Sequence, residues 1–385
     1  MDRIVKIIKT ISAADTETSW LSLESFLRMA SVVYGGYAKL RQNAYTAGWL
    51  RSRRLPCVVV SIGNLAVGGT GKTPMTLYVA QRVQRLGYHV VVLSRGYKGR
   101  AEKTGGIVSD GCKIFMDYET AGDEPYMMAT RLQNVPVVVG RNRFETGMLA
   151  VNKFNPEVMV LDDAFQHLKL LRDLDLVLLD YRRPFGNMHL LPRGGLREPP
   201  SALLRGDAFV LTRSDAAPET KTALSWTQLR RYTREKPVFK AFYAPEIKIV
   251  VAGTGPSSPR NTKQLSTSGT KFLRGRRIFA FSGLADNSDF HRTVAGFDGV
   301  LTGSLNFADH HPYSPADFEK IIRSAKAAGA DCLVTSEKDF VRIARRSEWP
   351  MDLAVIGIEC AFGEDQKAFD IFLQHKLEAL IKKDH

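Results

Sequence analysis

Lys72 and Thr73 close the glycine-rich run "LAVGGTGKT", and a cation beside a hydroxyl at the end of such a run is chemistry suited to phosphate. The pattern G-x-x-x-x-G-K-[ST] is met at Gly71, Lys72 and Thr73, while Ala66 stands where the first glycine would be. Gly68 and Gly69 inside the run let successive backbone N–H groups turn inward, toward an anion held at a helix N-terminus. The cradle is therefore Ala66, Val67, Gly68, Gly69, Thr70, Gly71, Lys72 and Thr73. Lys72 is placed to neutralise β/γ oxygens of a nucleoside triphosphate, and the Thr73 hydroxyl to ligate Mg²⁺. A metal there also needs a carboxylate. "EVMVLDD" supplies Asp162 and Asp163 directly after four apolar residues. Adjacent acids at a strand tip face different ways, so one of the two is expected at the metal, and the sequence leaves open which.

Other polar clusters follow apolar runs. "SRGYKGR" contains Arg95, "GRNR" contains Arg143, and "PRGGLREP" contains Arg193 and Arg197. A guanidinium suits bidentate contact with phosphate, and together the arginines imply an anion-lined crevice. "AGDEP" places Asp123 after another run. "NFADHHPYS" sets Asp309, His310 and His311 side by side. No third ligand at metal spacing accompanies them, which leaves a base paired with a carboxylate or plain loop histidines.

These residues need elements to hold them. "CVVVSIG", "HVVVLSRG", "VPVVVG", "EVMVLDD" and "LDLVLLD" are Val- and Leu-rich with little alternation, as for parallel strands covered on both faces. Between them lie helical patterns such as "TPMTLYVAQRVQRLG", closed by Gly87. The fold expected is α/β: a P-loop-type, doubly wound parallel sheet with its ligands at the strand ends. A second series, "DAFVLTRSD", "RIFAFSGLA", "GVLTGSL", "DCLVTSEKD" and "DLAVIGIE", predicts a smaller α/β domain. Gly and Pro crowd in "LPRGGLREPPSALLRGD", which sets the boundary there. The division is thus an N-terminal helical segment over 1–54, a P-loop domain over 55–204, a smaller domain over 205–363, and a C-terminal helix over 364–385. "AGTGPSSPRNTKQLSTSGTK" has no periodicity and reads as a mobile insertion loop.

In the N-terminal segment, Trp20, Leu23, Leu27, Ala30 and Tyr34 recur at helical spacing, and Arg51, Arg53 and Arg54 follow. On pattern alone a helix packed on the sheet is the simpler reading; an amphipathic helix on an anionic membrane is the other. The chain of 385 residues carries a net charge of +14, an excess that asks for anionic partners. No recognisable nucleic-acid module accompanies it. Four scattered cysteines without a C-x-x-C pair suggest neither zinc nor a disulfide framework. No apolar run reaches the ~20 residues of a bilayer span, and the N-terminus lacks the features of a secretion signal.

Taken in order, "SIGNLAVGGTGKTP", "LSRGYKG", "GDEP", "GRNR", "LDDAFQH", "LLPRGGLREP", "FSGLA", "FADHHPYS" and "TSEKD" resemble the tetraacyldisaccharide 4′-kinase family of lipid A biosynthesis. Many ATPases share the phosphate loop; "LDDAFQH" and "RGGLREP" after it are far more specific. The resemblance implies an ATP- and Mg²⁺-dependent kinase, peripheral on the cytoplasmic face of the inner membrane and monomeric. Such an enzyme phosphorylates the 4′-hydroxyl of a tetraacylated glucosamine disaccharide 1-phosphate to give lipid IVA. It also implies a hinge between the domains, Asp123 as catalytic base with a histidine of "ADHH", and a membrane-anchoring N-terminal helix. His310 is the histidine chosen, with His311 as its alternative. Lys72 completes the catalytic set, and Arg95, Arg143, Gln166, Arg193 and Arg197 are the acceptor-site candidates. The competing class is a P-loop GTPase or ATPase switch, which should carry a guanine-reading N-K-x-D. "TRSD" and "TSEKD" match that poorly.

Overall fold

The Val- and Leu-rich runs become strands buried on both faces, as their lack of alternation requires. The computed structural model describes residues 23–215, 223–233, 235–254, 270–284, 287–344 and 348–384. Its larger sheet contains β1 (Val58–Asn64), β2 (Val90–Ser94), β3 (Gly106–Ser109), β4 (Val137–Val139), β5 (Val158–Asp162), β6 (Leu174–Asp180), β7 (Ala208–Thr212) and β8 (Val238–Lys240). The strand order is β3-β4-β2-β5-β1-β6-β7-β8. Central β1 pairs in parallel with β5 and with β6, and only β3 runs antiparallel to its neighbour. Every residue of β1 and β5 is buried. Their shared edge brings the end of β1, which leads into the phosphate loop, beside Asp162 through the Ile62–Asp162 register pair. Gly63 makes that junction possible, because a Cβ there would lie 2.5 Å from Cβ of Phe165.

The smaller sheet has the order β11-β10-β12-β13-β9, with β9 (Phe242–Val251), β10 (Arg277–Ser282), β11 (Val300–Asn306), β12 (Cys332–Ser336) and β13 (Asp352–Ala361). Strands β10, β11, β12 and β13 pair in parallel along that order. Phe279, Phe281, Ile321, Leu333, Trp349 and Val355 fill one of its cores.

Chain contacts divide the molecule into two units. One comprises Met1–Met116, Met128–Tyr243 and Cys360–His385, the other Asp117–Met127 and Ala244–Glu359. Three boundaries therefore differ from those read in the sequence. Strand β7, assigned there to the smaller domain, extends the larger sheet through the pairs Leu176–Ala208 to Asp180–Thr212. The Gly- and Pro-rich stretch before it is not a linker: it folds back on the phosphate loop, where Leu196 bridges Ala66. The segment carrying Asp123 groups with the second unit, because Asp123 bonds to side chains of that unit. The helix Gln366–Asp384 belongs to the first unit, where Phe369 is fully buried, stacked on Phe362 and edge-on to Phe239. The polar stretch read as an insertion loop falls mostly on residues 255–269, outside the described residues.

The helix Leu23–Thr46 shows two apolar faces. Leu27 and Ser31 are buried, Ser31 Oγ donates to the Leu190 carbonyl, and Tyr34 Oη donates to the Arg197 carbonyl at 2.9 Å. Of the stripe read in the sequence, Leu27 packs on the first unit with Ala30 and Tyr34 half-buried beside it, while Leu23 is exposed. Phe26, Met29, Val33, Tyr37 and Leu40, at spacings of three and four, form a separate exposed stripe. Trp20 lies outside the described residues. No helix among the described residues is long and apolar enough to cross a membrane.

Candidate active site

The loop after β1 is braced by three hydrogen bonds. Val67 N–H donates to the Gly195 carbonyl at 2.7 Å, Thr70 N–H to the Gly68 carbonyl at 3.0 Å, and Asn64 Nδ2 to Thr70 Oγ1 at 2.6 Å. Gly68 and Gly71 take positive φ (127° and 76°), the conformation a glycine-rich turn supplies without strain. The helix Lys72–Arg85 then starts at Gly71 with no side-chain cap. Its first-turn N–H groups at Lys72 and Thr73 have no acceptor within the helix, and Pro74 brings no N–H to satisfy. That end of the helix is an anion site by its backbone alone.

The two acids after β5 part company, as adjacent residues at a strand tip should. Asp162 is buried, accepting from Thr76 Oγ1 at 3.2 Å and from Ser94 Oγ at 3.1 Å. Thr76 is one turn after Thr73 on the same helix, so Asp162 faces the start of that helix. Asp163 has φ of 49° and turns outward. Its oxygens accept from Arg197 Nη1 at 2.9 and 3.0 Å, and Lys72 Nζ lies 3.8 Å away. Gln166 donates to the Asn64 carbonyl at 2.8 Å and to Glu198 at 3.3 Å, and accepts from Arg197 at 3.4 Å. Lys72, Asp163, Gln166 and Arg197 are thus one connected polar group against the loop.

The remaining arginines are placed differently. Arg143 is buried and donates to the Gly140 carbonyl at 2.6 Å and the Asp162 carbonyl at 3.3 Å. Burial lowers its pKa to about 10, so it remains a cation at neutral pH while tying the ends of β4 and β5 together. Arg193 is buried beneath the helix Leu23–Thr46, and its N–H donates to Ser31 Oγ at 2.9 Å. Arg95 is half exposed and paired with Glu102 at 2.8 Å. Two residues of the "QH" and "RE" pairs escaped the reading from sequence. Glu198 is buried, joining Gln166 to Arg205 at 2.7 Å. Burial, with Arg143 and Arg172 near it, pushes His167 down to about 4, so that imidazole is neutral at pH 7.

In the second unit, Asp123 opens the helix Asp123–Arg131 and its carboxylate meets His310 Nδ1 at 2.7 Å. His310 has φ of 67°, an αL turn residue among "ADHH". His311 points elsewhere: its Nε2 meets Asp317 at 2.9 Å, and its ring stacks on Phe307. The partner the sequence did not reveal is Arg342, on the helix Glu337–Ile343. Its Nε donates to Asp123 Oδ1 at 3.0 Å, its Nη2 to Oδ2, and its Nη1 to the His311 carbonyl at 2.9 Å. Burial alone would push the Asp123 carboxyl up. Hydrogen bonds from His310 and Arg342 more than offset that and hold it down at about 2. Lys338, one turn before Arg342, lies 3.0 Å from Asp309 and 3.4 Å from His310 Nε2. Asp123 is therefore an ionised carboxylate clamped between a guanidinium and an imidazole.

A family model described as tetraacyldisaccharide-1-P 4′-kinase matches residues 23–378, nearly the whole described chain. The chain belongs to that kinase family. The "Tetraacyldisaccharide 4′-kinase" of Desulfatibacillum aliphaticivorans is 37% identical over 384 residues, covering 98% of this chain and 99% of its own. That of Anaeromyxobacter dehalogenans is 42% identical over 318 residues, 82% and 80% of the two chains. Among solved structures, LpxK from Aquifex aeolicus, crystallised in complex with ATP, superposes with a TM-score of 0.71 at 30% identity, covering 92% of this chain and 99% of that one. The tetraacyldisaccharide 4′-kinase fold, a P-loop sheet with a second sheet, is the one described above. The family is one of kinases acting on a lipid A precursor, and the GTPase or ATPase switch considered from the phosphate loop falls away.

Proposed function

We propose that the chain transfers the γ-phosphoryl group of ATP to the 4′-hydroxyl of a tetraacylated glucosamine disaccharide 1-phosphate, giving lipid IVA, at the cytoplasmic face of the inner membrane. The observation that carries the reading is the uncapped helix start at Lys72 and Thr73, beside Asp162 and Asp163, in a chain of this family. Lys72 neutralises charge on the β/γ oxygens, and the loop amides cradle the β-phosphate. One hydroxyl and two carboxylates are hard oxygen donors that leave room for water and phosphate, which is the ligand set Mg²⁺ takes. Thr73 with Asp162 or Asp163 would hold that ion, which would draw charge from the phosphate oxygens. Arg197 and Gln166, joined to Asp163, are the acceptor-binding groups best placed in the first unit. Arg143 and Arg193 serve the same end through the backbone they hold, and Arg95 from the surface.

A sugar hydroxyl is a poor nucleophile at neutral pH, so its proton must leave as bonding to phosphorus develops. Asp123 is the proposed acceptor. Held near a pKa of 2, it is deprotonated at every physiological pH, and as a weak base it takes the proton only late in the transfer. That timing suits a loose transition state with little bond formation. His310 keeps the carboxylate oriented and is the adjacent group to which charge can spread. The exposed stripe of the helix Leu23–Thr46 is read as the membrane-facing surface, lying in the interface rather than spanning it.

The test is transfer of labelled γ-phosphate from ATP to the tetraacyl disaccharide in mixed micelles. Lipid-dependent transfer with a product labelled at the 4′ position is expected. ATP hydrolysis without labelled lipid would overturn the assignment.

A further inference from the structure

The phosphate loop has a partner that neither the motif nor the acids explain. Tyr243, which ends the segment Met128–Tyr243 of the first unit, sends its phenol to the loop, where Oη donates to the Thr70 carbonyl at 2.5 Å. The same phenol occupies the space over Gly71: a Cβ at Gly71 would fall 1.6 Å from Oη. The Arg213 guanidinium lies over the ring, 6.0 Å from its centroid, and is itself fixed by Asp180 at 2.6 Å. Burial pushes the phenol well above its ordinary value, so it stays a donor at any working pH.

We infer that Tyr243 is a positioning residue for nucleotide binding, pinning the Thr70 carbonyl outward and so presenting the Gly71, Lys72 and Thr73 amides to the phosphates. The physical reason lies in peptide geometry. The Thr70 carbonyl and the Gly71 N–H belong to one planar peptide unit, so fixing where the oxygen points fixes where the N–H points. A glycine-rich loop has little intrinsic preference between the two orientations, since glycine explores both halves of φ space. Asn64, which holds the Thr70 side chain, leaves that peptide free to rotate; the phenol does not. A carbonyl turned in toward phosphate would oppose the anion, so an unpinned loop binds in only part of its conformations, and the apparent affinity falls by that fraction. Gly71 is required twice over in this arrangement, by its φ of 76° and by the phenol above it.

This inference rests on reading the loop as the ATP site, and the experiment separates the two. ATP affinity of the full chain is measured by calorimetry for the parent, Tyr243→Phe, Tyr243→Leu and Lys72→Ala, with melting temperature and steady-state kinetics in parallel. Tyr243→Phe keeps the ring and removes only the hydroxyl, with its bonds to the Thr70 carbonyl and to Thr212. A single such bond is worth about one decade, so Kd and KM for ATP should rise about 10-fold. KM for the lipid acceptor and the melting temperature should stay close to the parent, and kcat at saturating ATP should fall less than KM rises. Tyr243→Leu, which removes the ring as well, should weaken ATP further. A residue that merely packs would lower the melting temperature and shift both KM values together, and that pattern would overturn the inference. So would ATP affinity within twofold of the parent in Tyr243→Phe while Lys72→Ala loses binding. If Lys72→Ala binds ATP as the parent does, the loop is not the ATP site and both readings fall together.

Discussion

The phosphate loop and the Asp123 cluster make an instructive pair. The first is drawn from one contiguous stretch, Ala66 to Thr73, plus an acid pair at the tip of the neighbouring strand. The second gathers Asp123, His310 and Arg342 from segments separated by 187 and 32 positions. The loop works through backbone N–H groups, which any residue supplies if the chain can turn, so its signature is glycine and spacing. The cluster works through side-chain charge, and every member matters by identity. Electrostatically they are opposites. The loop gathers positive potential at an open helix end, while the cluster clamps the Asp123 carboxylate between a guanidinium and an imidazole. One site is arranged to receive an anion and the other to keep one ionised.

The largest effect should come from the loop. On the proposed reading Lys72→Ala removes the charge that neutralises the β/γ oxygens, and kcat/KM should fall by ~10³ or more. Asp163 is expected to matter less, since it neutralises Lys72 and Arg197 as well as serving the site. Near-normal turnover of Lys72→Ala at saturating ATP would erase the contrast between the two regions.

Next comes the cluster. Asp123→Ala and His310→Ala should each lower kcat by about 10² with little change in ATP affinity, judged from the usual size of general-base contributions. Because His310 Nδ1 and the Asp123 carboxylate are hydrogen-bonded, the double variant should lose far less than the product of the single losses. His311→Ala, whose partner is Asp317, should stay within about threefold of the parent. Multiplicative losses for Asp123 and His310 would mean independent roles. A defect in His311→Ala equal to that of His310→Ala would mean that the hydrogen bond to Asp123 is not what selects the histidine.

Arg342 sharpens the comparison through pH. The groups facing Asp123 are Arg342 and His310, with Lys338 and Asp309 beyond the imidazole. A carboxyl held near 2 contributes no acid limb to kcat/KM above about pH 4. Arg342→Met removes a cation and two donors while burial remains, so the carboxyl moves up. An acid limb should then appear in the pH 4–6 range, because the ionised carboxylate is lost as pH falls through the raised pKa. Arg342→Lys should restore the charge but not the fork, recovering part of the shift. An unchanged profile in Arg342→Met would show that His310 alone sets the carboxylate.

The same contrast explains what the sequence did and did not disclose. The larger sheet and the phosphate loop could be read directly, because unalternating Val/Leu runs and a Gly-Lys-Thr turn are local signals. The pairing of Asp123 with His310 came only through resemblance to a family. Arg342 stayed hidden because "FVRI" looks like a solvated arginine on a short helix. A usable hint was there: Lys338 and Arg342, four apart, put two cations on one face of the helix after "TSE". The domain boundary was misplaced because Gly and Pro were taken for a linker, when in 192–206 they let the chain fold back to bridge Ala66 through Leu196. Strand β7 gave no sign of which sheet it joins, since a fully buried strand reads alike in either.

The smallest chemical effect concerns the helix Leu23–Thr46. Its inner face is tied to the first unit by Ser31 and Tyr34, while Phe26, Met29, Val33 and Leu40 face outward, each more than half exposed. Of the basic residues after it, Arg54 pairs with Asp173 and Arg53 stacks on Phe144, so these two are engaged by the protein rather than reserved for lipid. Adsorption should therefore depend more on apolar area than on charge. Phe26→Ser and Val33→Ser should each weaken binding to anionic vesicles about tenfold, the share of ~1.5–3 kcal/mol that a large apolar side chain loses when it no longer leaves water. Both positions are exposed, so folding stability should change by no more than ~0.5 kcal/mol. The kcat on acceptor dispersed in detergent should be untouched. Raising salt should reduce vesicle binding of the parent only modestly, since screening acts on the charges and not on the apolar stripe. Flotation across a salt series decides between the two faces. If the serine variants float like the parent while Tyr34→Phe does not, the packed face of the helix governs membrane contact and the exposed stripe is idle.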